Sequence, residues 1–181
     1  MTSTRKEPLT SLDVRYSSPG ARAMPWAEAW TMLERAELYW LSTVRPDHAP
    51  HVTPVLAVTH AGALYFTTGE QERKGRNLAA NPACVLTTGC NSLTGGTDLV
   101  VEGRAERITG DALLQAVADA FLAKYGPDWH LTVRDGFLVL PGGGASGTEA
   151  GEGPRAAAFE VRPATAFGFR KGVYGQTRWR F

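Results

Sequence analysis

Leu64-Tyr65-Phe66-Thr67-Thr68, continuing as Gly69-Glu70-Gln71-Glu72-Arg73-Lys74-Gly75-Arg76-Asn77-Leu78-Ala79-Ala80-Asn81-Pro82, changes character midway. The first part is aromatic, aliphatic and β-branched, the composition of a strand. The second is polar, basic and helix-permissive. It stops at Asn81, because the residue before a proline is steered away from the α region. The stretch therefore reads as a strand entering a short helix, with Arg73 and Lys74 near the junction and Thr67 and Thr68 at the strand's tip.

Strand signals surround it on both sides. Leu38 to Val44, the turn Arg45-Pro46-Asp47-His48-Ala49, His51 to Val58, the turn His60-Ala61-Gly62 and Leu64 to Thr68 follow in quick succession. Such spacing predicts an antiparallel meander, since parallel crossovers need a dozen or more residues. Beyond Pro82 come Cys84 to Thr88, then Leu99 to Ile108 with Gly103 as a candidate bulge, Phe137 to Leu140, Ala157 to Val161 and Ala166 to Arg170. Trp26, Trp30 and Leu33 share one face of a helix running from Pro25 to about Ala36. Leu113, Leu114, Val117, Phe121 and Leu122 form the stripe of a longer helix that starts behind an Asp111 cap and stops near Tyr125-Gly126-Pro127. Pro141 to Pro154 has the glycine-rich composition of a flexible linker. Residues 1–23 read as a loosely ordered arm, and 24–181 as one domain. The expected fold class is mainly β, an antiparallel six- to seven-stranded barrel with two or three helices.

Bulk properties exclude several classes. The 181 residues suit one domain with a real core, and 43% hydrophobic with 20% charged residues suits a folded chain. A formal charge of +1 offers no broad field for nucleic acid or an anionic membrane, so any anion site must be local. No apolar run approaches the length of a membrane span. Met1 to Gly20 has no signal-peptide core, and a cytoplasmic protein is expected. Cys84 and Cys90 are too few for a disulfide scaffold. The histidines His48, His51, His60 and His130 form no metal pattern. Neither a Gly-x-Ser-x-Gly elbow nor a Cys/His dyad is visible, which argues against hydrolysis.

The chemistry concentrates at the junction. A phosphomonoester carries close to two negative charges and calls for cations plus hydroxyl and backbone donors. Arg73, Lys74, Thr67 and Thr68 supply that set within one strand-to-helix connection, at a helix start that itself favours an anion. The competing reading of the same charges is a solvated helix face.

With these residues in place, the chain resembles the pyridoxamine 5'-phosphate oxidase-like FMN-binding split barrels from about Trp26 to Phe181. The resemblance rests on Leu64 to Thr68, on Glu72 to Pro82 and on His51-Val52-Thr53-Pro54-Val55. It implies a split β-barrel and a homodimer holding FMN at the subunit interface, with a small-molecule substrate. It also implies hydride transfer at the flavin N5, for which no side chain need act as catalytic acid or base. Thr67, Thr68, Arg73 and Lys74 would grip the flavin phosphate with Asn77 beside them, and His51, Val52, Thr53 and Pro54 would lie along the ring. Asn91 and Ser92 would meet ring or ribityl, or merely form a turn. In the terminal Arg178-Trp179-Arg180-Phe181, Trp179 would stack near the flavin and Arg178 meet a carbonyl or anion; alternatively the tail seals the dimer. Ala112 to Lys124 lacks the Tyr, Arg and Ser with which the namesake enzyme holds its substrate, so a substrate other than vitamin B6 is implied. Lys74-Gly75-Arg76-Asn77-Leu78 equally resembles relatives that use an 8-hydroxy-5-deazaflavin coenzyme, whose acidic tail would call on Arg170, Lys171 and Arg178. A non-catalytic flavin or haem carrier, with His51 as the haem ligand, is the remaining alternative.

Overall fold

The computed structural model describes residues 7–141 and 153–181. The stretch read as a glycine-rich linker falls largely on 142–152, outside the described residues. The strands are β1 (Leu9–Leu12), β2 (Tyr39–Val44), β3 (Pro50–Val55), β4 (Ala57–His60), β5 (Ala63–Thr68), β6 (Ala83–Thr88), β7 (Thr97–Ile108), β8 (Thr132–Arg134), β9 (Phe137–Val139), β10 (Arg155–Arg170) and β11 (Gly175–Arg180). The helices are α1 (Trp26–Arg35), α2 (Arg73–Ala80) and α3 (Asp111–Tyr125). The fold is mainly β and antiparallel, a split barrel, with more strands among the described residues than the six or seven expected.

The split has a local cause. Residues 50–60, read from the sequence as a strand from His51 to Val58, break at Leu56 into two strands with different partners. β3 pairs with β2, whereas β4 pairs with β5. Sheet order then runs β3-β2-β6-β7-β10-β5-β4, so the two ends of the path are consecutive pieces of one segment. The backbone groups at the break find partners on α3: Ala57 N–H donates to the Tyr125 hydroxyl at 3.1 Å, and Lys124 Nζ donates to the Ala57 carbonyl at 2.8 Å.

β10 pairs with four strands, β5, β7, β9 and β11. The sequence suggests two strands here, but they are continuous, with a register shift between Pro163 and Thr165. Proline lacks the ladder's N–H, which suits it to such an irregularity. Gly103 is the partner rather than the bulge: an added Cβ there would sit 2.6 Å from the Arg162 carbonyl oxygen. The first half of β10 pairs with β5, the second with β11. β1 adds to β11, so part of the stretch expected to be a loose arm lies as an edge strand instead. That pairing is made by backbone bonds to a segment more than 160 residues away, and the exposed side chains of Leu9, Thr10 and Ser11 give no pattern to announce it.

Two apolar clusters result. One fills the barrel under α1, around Trp26, Trp30, Leu33, Leu41, Phe66 and Trp179. The other lies between the sheet and α3, where Leu114, Val117 and Phe121 meet Val58, Tyr65 and Leu138. Full burial of each such side chain contributes about 1.5–3 kcal/mol. β5 serves both, with Leu64 and Phe66 facing one cluster and Tyr65 the other. At its ends α3 departs slightly from expectation: Gly110 is the N-cap and Asp111 the first helical residue, still well placed against the helix dipole. Similarly Pro25 caps α1 rather than opening it.

Lys124 gives the fold a pH signature. Burial pushes its ammonium down to about 8 from the model-compound value of 10.5. Between those values the unfolded chain binds more protons than the folded one, so stability rises with pH across this window until tyrosine ionisation intervenes near ~10. Denaturation midpoints measured from pH 8 to 10 should climb in the parent, and the climb should flatten in Lys124→Met.

Candidate functional site

The connection from β5 to α2 is built around backbone proximity. Gly75, in the first turn of α2, lies against the preceding loop so closely that a Cβ would sit 2.5 Å from the Gly69 carbonyl oxygen. Only glycine lets the helix start rest there. Glu72 occupies the N-cap but does not cap α2 with its side chain. Its carboxylate turns back: Oε1 accepts the Gly69 N–H at 2.9 Å and Oε2 pairs with the Lys74 ammonium. The Lys74 side chain is only 15% exposed, against 52% for Glu72. Glu70 is engaged elsewhere, with Arg107 at 2.6 Å.

These residues edge a cleft of about 260 Å³ whose walls include Pro54 and Leu56 from the split, Thr67, Thr68 and Lys74 from the connection, and Trp129 and Arg155. Behind it, a chain of polar contacts ties α2 to the barrel. Asn77 Nδ2 donates to Thr43 Oγ1 at 3.0 Å, and Thr43 Oγ1 lies 3.4 Å from His51 Nδ1. Asn77 is 1% exposed, yet its Oδ1 has no hydrogen-bond partner among the described residues. The imidazole of His51 is held below its ordinary value by desolvation first, then by the positive charges of Arg45, Arg73 and Lys74. Three cations thus act on His51, and one of them, Lys74, lines the cleft beside Thr67 and Gly69, so its donor set fits a phosphorylated ligand.

Of the residues singled out in the sequence, Pro54, Thr67, Thr68 and Lys74 line the cleft; His51, Arg73 and Asn77 are not among its walls, Arg73 acting on His51 and Asn77 being buried against Thr43. Thr68 is nearly buried, and its hydroxyl donates to the Gly69 carbonyl at 3.3 Å. Val52 and Pro54 point outward from β3, and the Thr53 hydroxyl donates to the Pro54 carbonyl at 3.2 Å. Asn91 and Ser92 lie elsewhere. They border a second, shallow hollow of about 900 Å³ with Trp40, Asp98 and Lys171.

The tail corrects expectation most clearly. Trp179 is 0% exposed, donates Nε1–H to the Met24 carbonyl at 3.1 Å and packs against Trp26 with ring centroids 5.2 Å apart. It is a core residue, not a free stacking platform, because β11 alternates and its odd-numbered positions face the barrel interior. Arg178 is exposed with its guanidinium 5.6 Å from the Phe167 ring centroid. It pairs at the end of β10 opposite to the one that meets β5.

Three contributors were not singled out in the sequence. Arg45 lies in a hairpin turn and reaches His51 only through the β2–β3 register. Trp129 follows α3 and Arg155 opens β10, and nothing local in the sequence ties either to Thr67.

Comparison with known proteins agrees with this architecture. The family model described as pyridoxamine 5'-phosphate oxidase matches residues 26–166, and the chain belongs to that family. No protein of curated function matches it. Similar solved structures include a heme binding protein from Mycobacterium smegmatis (18% identity, 83% of this chain and 55% of that one, TM-score 0.62). HutZ, the heme storage protein from Vibrio cholerae, is similar over 81% of this chain and 94% of its own (18% identity, TM-score 0.58). An F420 reductase is 26% identical over 75% of this chain and 93% of its own, with a TM-score of 0.50.

The effect of these charges on His51 is directly measurable. Replacing Arg73 and Lys74 together by Ala should raise the His51 pKa followed by NMR, part of the way only, because desolvation remains. An unchanged titration would show that these cations do not act on the site.

Proposed function

We propose that this chain is a homodimeric, FMN-dependent oxidoreductase that moves hydride between the flavin and a small conjugated or heteroaromatic substrate. The observation that carries this reading is a cleft lined by Thr67, Thr68 and Lys74, with Arg45, Arg73 and Lys74 all acting on His51 of the strand that brings Pro54 to the same cleft. A phosphate of nearly two negative charges finds there the charge-assisted donors it needs. Asn77 Oδ1, buried without a partner among the described residues, leaves an acceptor beneath the site that a buried water would satisfy. Bound FMN supplies the redox chemistry at its ring N5. The protein's part is to hold the phosphate, orient the ring along β3 and keep water away, which requires no catalytic acid or base.

The subunit contact is assigned to the outer face of β2 and β3. Trp40 is 49% exposed, Val52 54%, and Trp40 stands opposite Pro54 in the ladder. Such a patch next to the cleft suits a second copy that completes the cofactor site. The protein is assigned to the cytoplasm; no helix among the described residues is long and apolar enough to cross a membrane.

The second reading, a deazaflavin-dependent reductase on the same fold, is favoured by the match to the F420 reductase. Against it, two cations expected to meet that coenzyme's acidic tail are already engaged: Arg170 with Glu28 at 2.5 Å and Lys171 with Asp98 at 3.0 Å. The visible spectrum of the purified protein separates flavin, deazaflavin and haem. The double substitution of Arg73 and Lys74 by Ala should abolish retention of FMN while the protein still elutes as a dimer. Retention at parental affinity would remove the phosphate assignment.

A further inference from the structure

Within the grip, one anion is already present. Glu72 Oε1 takes the Gly69 N–H, which has a single hydrogen to give, and Oε2 takes the Lys74 ammonium. The two contacts come from the same donors that a bound phosphate would use at this corner of the cleft, where Glu72, Gly69, Thr68 and Lys74 are all wall residues. The fold-back is tight: a Cβ on Gly69 would lie 3.1 Å from Glu72 Oε1. Burial alone would raise the Glu72 carboxyl, but Lys74, the Gly69 N–H and Thr68 together hold it below the ordinary carboxylate range, so it is charged at neutral pH. Glu72 is also the more exposed partner and lies ahead of the first helical residue, so it can swing into solvent without disturbing α2.

We infer that Glu72 is a specificity-determining residue of the phosphate grip, an internal competitor that a ligand phosphate must displace, making the phosphorylated cofactor an exchangeable ligand rather than a permanently held one. This rests on the phosphate-grip reading above. A Glu72 carboxylate still in place repels a dianionic phosphate about twice as strongly as a singly charged phosphate ester, because the repulsion scales with the ligand's charge. The carboxylate therefore weakens a phosphomonoester more than a phosphodiester, and leaves an unphosphorylated ring compound unaffected.

The test uses the full-length protein, apo after cofactor removal, with three probes followed by flavin fluorescence: FMN, its 5'-phosphate monomethyl ester and riboflavin. Glu72→Gln keeps the shape and the acceptor for Gly69. It should tighten FMN about tenfold and slow its release, tighten the methyl ester about threefold, and leave riboflavin unchanged. Equal effects on all three probes, or none, would overturn the role of Glu72. If Lys74→Ala weakens FMN in that same case, the grip itself stands. If neither Glu72→Gln nor Lys74→Ala alters FMN binding, or if the parent binds none of the probes, the grip reading falls and Glu72's role falls with it.

Discussion

The break at Leu56 is the constraint on which the rest of this molecule depends. A sheet of short strands curls until its two ends meet, and here both ends belong to residues 50–60, so the chain itself spans the gap that hydrogen bonds would close in a full barrel. α3 supports the gap through Tyr125 and Lys124, whose polar ends reach the backbone of Ala57. Part of the cost appears in Lys124, whose ammonium is partly desolvated to reach that carbonyl.

The cleft is a consequence of the same break. Pro54 and Leu56 stand at the split, and Thr67 and Thr68 end the strand that pairs just beyond it. A binding site at this position needs no separate scaffold, because the opening exists wherever the ladder cannot close. The basic start of α2 then lies next to the opening, held there by Gly75 against the loop and by Asn77 against Thr43. Such anchoring by residues buried beneath the site is what keeps a charged cluster on a rigid element rather than in solvent.

Legibility was uneven for definite physical reasons. Helices α1 and α3 were visible through their 3.6-residue stripes, α2 through its helix-permissive composition and the stop at Pro82, and the strands flanking α2 through their β-branched and aromatic residues. The cluster at Thr67, Thr68, Arg73 and Lys74 was visible because its members are close in sequence. Pro54 joined it through family resemblance alone. Trp179 was misread: aromatic and basic residues in alternation look like a ligand-facing tail, yet one face of the strand carries the indole into the core and the other carries Arg178 and Arg180 outward. The N-terminal strand was missed because backbone pairing leaves no mark on exposed side chains.

By itself the sequence determined the fold class, the antiparallel order around the basic connection and the identity of the cations that could meet a phosphate, since these depend on local propensity and residue chemistry. Tertiary structure alone decided where the segment 50–60 would split, that Trp129 and Arg155 would join the cleft while Arg45 acts on His51, and that Glu72 would turn its carboxylate back onto Gly69 and Lys74. The split and the cleft walls relate residues far apart in the chain, and the turn of Glu72 is a choice of side-chain conformation within one loop; no local periodicity encodes either.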